Sequence, residues 1–215
     1  MATLTTEELE QWISHYFENP QPNKTPIAIG IFIREGYFTN DSIVETVITF
    51  LSFIFRDQPD KISIWLNSIQ DLSNQEMIAI GKALWLSNTK EAKNYLDAIL
   101  KKKNKEIQES LTLLLREVPP KIEEIPISSP SILDMLWAAF AATGEEKYVT
   151  RLMSVLPYIN AEDEPHLFSI GNAARWSLRS NMDKYEKIKS ICVNQLEQQS
   201  QEISIILKEI LAETD

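Results

Sequence analysis

The sequence is poor in the residues on which several common kinds of protein depend. Only five glycines, two histidines and one cysteine occur among 215 residues. So few glycines disfavour turn-rich β-sandwiches, and a lone cysteine excludes an intrachain disulfide and a cysteine-rich zinc site. No phosphate-binding glycine loop, His-Glu-x-x-His helix or Gly-x-Ser-x-Gly elbow is present. The sequence therefore predicts no catalytic residue, no metal site and no cofactor.

The few reactive side chains have unremarkable surroundings. His15 and His166 lie far apart in the sequence, and neither has a neighbour that favours a role as a general base. A short acidic run precedes His166, but acidic residues are also common where a helix begins. Cys192 falls on an apolar helical stripe, where a buried thiol is inert. We interpret all three as ordinary structural residues.

Positive charge is also scarce, since 21 Lys and Arg face 31 Asp and Glu, which gives a net charge of −10. Phosphate backbones repel such a surface, so we expect no nucleic-acid binding. The longest apolar-rich stretch, residues 43–55, is too short to span a bilayer. The start of the sequence lacks the basic flank and apolar run of a signal peptide. We therefore expect no membrane insertion and a cytoplasmic location, with export by another kind of signal as the alternative.

What the sequence does have is helical periodicity interrupted by proline. Apolar residues recur at spacings of three and four, and the ten prolines lie mostly between these segments. Capping-box motifs at residues 5–8, 73–76 and 88–91 mark helix starts. These signals predict an all-α protein, more than half helical, of stacked antiparallel helix pairs. It is either an irregular α-solenoid or a helical bundle, and residues 182–213 form one helix or two.

Three stretches, residues 80–96, 135–152 and 170–188, share one plan. Each begins as an apolar helix with small residues and a tryptophan, turns through a few polar residues, and continues into a second helix. The second and third stretches align at an offset of 37 residues. Helix pairs of this kind bury their faces by stacking on their neighbours. On this basis Trp137 and Trp176 are predicted to be core residues.

Proline is concentrated in one internal segment. Four of the ten prolines lie between residues 119 and 130. We predict either a single helical domain over residues 1–215, or two sub-modules, 1–118 and 131–215, joined by a proline-rich linker at 119–130. Because proline blocks regular backbone hydrogen bonding, residues 118–130 should be the internal segment most sensitive to protease.

Several blocks of the sequence resemble a family of bacterial proteins of unknown function. They are FRDQP at 55–59, LWLSNTKEA at 84–92, LDMLWAAFAATGEEKYV at 133–149 and AARWSLRSN at 173–181. The resemblance implies a helical fold and a bacterial source, and it transfers no catalytic residue. Some members look exported, which keeps that alternative open. Tetratricopeptide repeats are similar in plan only, because their regular spacing of about 34 residues is not met.

One polar face has a pattern that suggests a function. Asn172, Arg175 and Arg179 recur at spacings of three and four, so they share one side of a helix. Arginine suits a carboxylate, such as a peptide C-terminus, and we predict that this face binds a partner. The alternatives are a solvated face or an ion pair with Asp183 or Glu186.

The function that these signals favour is a non-enzymatic helical-repeat scaffold that binds a protein or peptide. Two other functions remain open at this point. One is an enzyme of unrecognised type with a carboxylate-based site between helices, and the other is a structural subunit of an oligomer.

Overall fold

The structure, a computed structural model, describes residues 4–69, 71–102 and 105–213. The prediction of an all-α fold is confirmed, because 73% of the chain is helical and the described residues contain no strand. The chain divides into two compact units. Unit 1 comprises Met1–Lys121 with Ala141–Gly144, and unit 2 comprises Ile122–Phe140 with Glu145–Asp215. Whether the chain is one domain or two linked sub-modules stays a prediction.

Seven α-helices lie in the described part of unit 1. They are α1 (Thr6–Ser14), α2 (Thr25–Arg34), α3 (Val44–Asp57), α4 (Ile62–Asn67), α5 (Asn74–Ser87), α6 (Lys90–Lys102) and α7 (Lys105–Leu114). Helix α3 is the core of this unit, since every residue from Val47 to Phe55 is buried. Its buried hydroxyls are satisfied within the helix, where Ser52 donates to the carbonyl of Thr49 at 2.7 Å. The stretch that was too short for a membrane span is therefore a buried helix.

Helix α3 also holds the end of α5. The guanidinium of Arg56 donates to the carbonyl oxygens of Leu86 and Ser87, at 3.0 and 3.3 Å. These carbonyls belong to the last turn of α5, which has no partners for them within the helix. The positive charge also suits the negative end of the helix dipole. One side chain thus fixes the position of two core helices.

Five α-helices lie in the remainder of the described chain. They are α8 (Pro130–Thr143), α9 (Glu146–Met153), α10 (Pro165–Met182), α11 (Glu186–Gln195) and α12 (Gln201–Ala212). The open question about residues 182–213 is thereby answered, because α11 and α12 are separate. Ser200 begins α12 by accepting a hydrogen bond from the amide of Ile203 at 3.4 Å.

Helix α10 is packed unusually closely within unit 2. A Cβ atom at Gly171 would lie 2.5 Å from the amide nitrogen of Ile159 and 2.6 Å from the carbonyl carbon of Tyr158. Both atoms are backbone atoms of the 3-10 helix Leu156–Asn160. Only glycine allows this approach, so the backbone of α10 lies directly against that turn.

The predicted helix starts are right in two cases and wrong in one. Thr5 and Ser73 form complete capping boxes with Glu8 and Glu76. Asn88 instead ends α5 in the left-handed conformation, with φ 55°. The next helix is capped by Thr89, whose hydroxyl accepts from the amide of Ala92 at 3.2 Å. Asparagine tolerates the left-handed region, and this preference prevailed over its capping role.

The proline-rich segment at 119–130 is not a free linker along its whole length. Ile122 is buried, and residues Ile122–Glu124 form a 3-10 turn. The carboxylate of Glu123 lies 3.0 Å from the ammonium of Lys147, and Arg151 donates to the carbonyl of Ile125 at 3.5 Å. These contacts attach the middle of the segment to α9. Protease sensitivity should therefore concentrate before Ile122.

Candidate functional site

Helix α10 is the longest helix of the described chain, and one of its sides is buried. Ile170, Ala174 and Leu178 have no exposed surface. They recur every four residues, so they form a single stripe along the helix. This stripe and Gly171 hold α10 in unit 2, which leaves the opposite side turned to solvent.

The three residues predicted to bind a partner lie together on that opposite side. Asn172 is exposed, and its Nδ2 donates to the carbonyl of Phe168 at 2.8 Å. The side chains of Arg175 and Arg179 are 30% and 50% exposed. The structure thus places all three on one face of α10. Their role in binding stays a prediction.

Both arginines form ion pairs with the last helix. The Nη2 of Arg175 donates to Oε1 of Glu213 at 2.7 Å, and its Nη1 lies 3.7 Å from Oε2 of Glu209. The Nη1 of Arg179 lies 3.2 Å from Oε2 of Glu213. The sequence-based alternative, that these arginines form ion pairs within the chain, is therefore confirmed.

The predicted partners of this ion pair, Asp183 and Glu186, are wrong. The acceptors are instead Glu209 and Glu213 at the end of α12. Nearness along the chain favoured Asp183 and Glu186. The packing of unit 2 instead brings the more distant α12 beside α10.

The order of these pairs shows that α10 and α12 run in the same direction. Moving from Arg175 to Arg179 along α10 corresponds to moving from Glu209 to Glu213 along α12. The start of α12 agrees, since Glu202 accepts from Asn160, which precedes α10, at 3.3 Å. Parallel neighbours joined through a returning helix, here α11, are the arrangement expected of stacked helix pairs.

Trp176 contradicts the prediction that it is a core residue. Its side chain is 72% exposed. The physical reason is its position on the helix. At about 100° per residue, Trp176 lies about 160° from the middle of the buried stripe. The apolar and small residues on either side of Trp176 suggested burial, but they face a different direction.

Trp137 is closer to the prediction, because it is half-buried. Its indole nitrogen is inaccessible to solvent and has no hydrogen-bond partner among the residues that the structure describes. Its ring packs edge-on against Phe140, with 6.1 Å between ring centroids. The offset of 37 residues explains the difference between the two tryptophans, since it matches Trp137 to the buried Ala174 and not to Trp176.

Trp176 is not the only exposed apolar side chain in this region. Phe168, two turns before Trp176, is 38% exposed, and Ile205 of α12 is 51% exposed. Ile205 lies one turn before Glu209 and so on the same side of α12. We name the combined surface the α10–α12 face. Its residues are Phe168, Asn172, Arg175, Trp176 and Arg179 of α10, Glu202, Ile205 and Glu209 of α12, and Glu213 at the C-cap of α12.

Comparison of the chain with protein-family models, with curated proteins and with solved structures finds no match. The resemblance to a bacterial helical family therefore stays a prediction, and the function must be argued from the chain's own residues.

Three cavities lie in the described part of unit 1, and one of them, of about 460 Å³, is an open groove beside α7. Another, of about 430 Å³, is a groove beside α1 with Glu8, His15 and Lys24 on its walls. The carboxylate of Glu8 is already used there, because it accepts from the amide of Thr5 at 2.7 Å in the capping box. The third, of about 270 Å³, lies between α4, α5 and α6 and is largely apolar. At its edge the hydroxyl of Tyr95 donates to Oδ1 of Asn67 at 3.2 Å, and burial raises the pKa of Tyr95.

The titratable side chains do not form a site elsewhere in the described residues. Residues 4–69, 71–102 and 105–213 contain no group of three His, Cys, Asp or Glu that could hold a metal ion. Cys192 is buried, which raises the pKa of its thiol to about 12 and keeps it protonated and inert. Desolvation raises the pKa of the Asp134 carboxyl. Within the same ranges, no helix has the length and apolar character needed to cross a membrane.

Proposed function

We propose that this protein is a non-enzymatic helical scaffold that binds another protein or a peptide through the α10–α12 face. The observation that carries the proposal is the exposure of Trp176, at 72%, between exposed polar side chains. A tryptophan removes about 150–250 Å² of surface from water when it is covered. Leaving so large an apolar side chain in water is unfavourable for an isolated chain, and a partner that covers it removes that cost.

The composition of the face also supports binding. Tryptophan and arginine are the residues that most often dominate the energy of protein interfaces, commonly inside a polar rim. In this proposal Trp176 is the central anchor, and Asn172 and Arg179 contact the partner beside it. Phe168 and Ile205 extend the apolar surface on the two helices.

Arg175 has a different role in the proposal. It is the less exposed of the two arginines, and it is held by both Glu209 and Glu213. We assign it to fixing α10 beside α12, so that the residues around it stay in a constant arrangement. A rigid, preformed surface loses less conformational entropy on binding. Arg175 then acts through the positions of its neighbours.

The two other functions have weaker support. A carboxylate-based enzyme needs an acidic side chain with a raised pKa inside a pocket. Asp134 has the raised pKa, but it lines none of the three cavities described above. A structural oligomer needs a large exposed apolar patch. Three other strongly exposed apolar residues, Ile64, Leu113 and Val118, lie outside the α10–α12 face.

We also propose that the protein is cytoplasmic and does not bind nucleic acid. The net charge of −10 disfavours contact with phosphate backbones. A single free cysteine, fully buried, is compatible with a reducing compartment.

The test is affinity capture with the full chain and with Trp176→Ala. The immobilised proteins are exposed to an extract of the source cells, and the retained proteins are quantified by mass spectrometry. The matched control is Val193→Ala on α11, because Val193 is also an exposed apolar residue of unit 2, at 48%. Melting temperatures are recorded for all three proteins, since substitution of an exposed side chain should leave stability nearly unchanged.

We expect a specific partner to be retained by the wild type and by Val193→Ala. Trp176→Ala should lose it while melting at an unchanged temperature. Truncation of a central tryptophan typically costs more than about 2 kcal/mol of binding energy. Equal capture by all three proteins would show that the α10–α12 face is not the binding surface.

A further inference from the structure

The charges of the α10–α12 face indicate which kind of partner it fits. We propose that the partner presents a cationic peptide segment, with a lysine or arginine side chain over the ring of Trp176 and neighbouring cations beside the carboxylates of α12. This inference rests on the proposed binding function, and it reverses the sequence-based expectation that the arginines receive a carboxylate.

The first argument is that both arginines already form ion pairs with acidic residues at the end of α12. Glu213 accepts from Arg175 at 2.7 Å and lies 3.2 Å from Arg179, so a single carboxylate bridges the two guanidinium groups. A partner's carboxylate placed at the arginines would lie beside Glu213 and close to Glu209. Like charges placed together oppose such a complex.

The second argument is that α12 carries exposed carboxylates that are available to a partner. Glu209 is 54% exposed, and the one ion pair that it forms among the described residues, to Arg175, is long at 3.7 Å. Glu202 shares the same side of the helix, one turn before Ile205, and is exposed. With Glu213 this side of α12 carries three carboxylates against the two guanidinium groups of α10. The face therefore has negative charge left over.

The third argument concerns Trp176 itself. Within the described chain, no cation lies over its ring and no other aromatic ring packs against it. The face of an indole ring attracts cations electrostatically, and tryptophan does so best among the aromatic residues. A side chain that is apolar along its stem and cationic at its end covers the ring, and further cations of the same peptide lie beside the carboxylates of α12.

The charge of the whole chain acts in the same direction. At −10 it attracts basic segments from a distance and repels nucleic acids and anionic lipid surfaces. A basic peptide segment is thus the occupant that fits the face by charge, by the exposed indole and by the long-range field.

The experiment is selection of a random linear peptide library displayed on phage against the immobilised full chain. Enriched peptides are synthesised, and their affinities are measured for the wild type and for Trp176→Ala and Glu209→Gln. Glu209→Gln removes the exposed carboxylate while the 2.7 Å pair between Arg175 and Glu213 stays in place. The matched control is Glu197→Gln, an exposed carboxylate on the loop that follows α11.

The expected peptides carry more lysine and arginine than aspartate and glutamate. Trp176→Ala should weaken them about tenfold or more. Glu209→Gln should weaken them about two- to fivefold, as for an exposed ion pair, with a smaller effect at high salt. Glu197→Gln should leave the affinity unchanged.

The opposite results separate this inference from the proposed function. Acidic peptides that depend on Trp176 would overturn the cationic partner and leave the α10–α12 face as the binding surface. Peptides that bind Trp176→Ala as tightly as the wild type would overturn both. Failure to enrich any peptide would also count against both, because an exposed anchor of this kind should select one.

Discussion

Arg175 and Glu213 are 38 residues apart in the sequence, and their side chains meet at 2.7 Å. The pair joins the middle of α10 to the end of α12, and Arg179 binds the same carboxylate. Because the side chain of Arg175 is only 30% exposed, it is better shielded from water than Arg179. This relationship sets the spacing of the two helices that form the proposed binding face.

The ion pair should contribute modestly to stability. Arg175→Ala removes the contacts to both Glu209 and Glu213, and we expect it to lower the unfolding free energy by about 1 kcal/mol. That corresponds to a fall of about 2–4 °C in the melting temperature for a chain of this size. Calorimetry at low and high salt measures it, and the difference should shrink at high salt. An unchanged melting temperature would show that Arg175 does not hold α12.

Trp176 should dominate the solvent-accessible fluorescence of the protein. Trp12 and Trp65 are 6% and 5% exposed, whereas Trp176 is 72% exposed. Acrylamide is a neutral quencher, so the acidic surface does not affect its approach. Quenching of tryptophan fluorescence by acrylamide should therefore fall strongly in Trp176→Phe. Trp65→Phe is the control and should leave the quenchable fraction nearly unchanged. If Trp176→Phe quenched like the wild type, the side chain would be buried after all.

The two residues of α10 that matter most differ in how far the sequence could predict them. The exposure of Trp176 can be predicted from the sequence. The apolar stripe of Ile170, Ala174 and Leu178 marks the buried side of the helix, and Trp176 lies on the opposite side. The prediction that Trp176 is a core residue rests on the apolar character of its sequence neighbours and leaves out their angular positions around the helix. The pairing of Arg175 with Glu213 cannot be predicted from the sequence, since it depends on how α12 packs against α10.

The same contrast applies to the helix ends. The capping boxes at Thr5 and Ser73 are local hydrogen-bond patterns, and the sequence predicts them correctly. The break between α11 and α12 also had a local signal at Ser200, which caps the second helix. Asn88 had two compatible local roles, and only the path of the chain after α5 decides between them.

Two glycines form a matched pair for testing the packing of α10. Gly171→Ala places a Cβ about 2.5 Å from backbone atoms that cannot move aside, so we expect a loss of about 1–3 kcal/mol. Gly30→Ala in α2 meets nothing within 4 Å and should stabilise the protein by about 0.5–1 kcal/mol. Chemical denaturation of both variants measures the two effects. Equal effects would show that α10 does not approach the turn at Ile159.

Cys192 should be unreactive until the protein unfolds. Burial raises the pKa of its thiol from 9.0 to about 12, so almost no thiolate exists at pH 8. A disulfide reagent should label it only in denaturant. Because the folded state holds this proton more tightly, its contribution to stability is complete below pH 9 and is lost as the pH rises towards about 12. Labelling of the folded protein at pH 8 would contradict the burial of this side of α11.

Hydrogen–deuterium exchange on the complex with a captured partner or a selected peptide tests the central claim most directly. Covering the α10–α12 face should slow exchange in Pro165–Met182 and Gln201–Ala212, and should leave α1 to α7 unchanged. Trp176→Ala mixed with the same partner at the same concentration should show no such protection. Slowed exchange confined to unit 1, with α10 and α12 exchanging as in the free protein, would contradict the account.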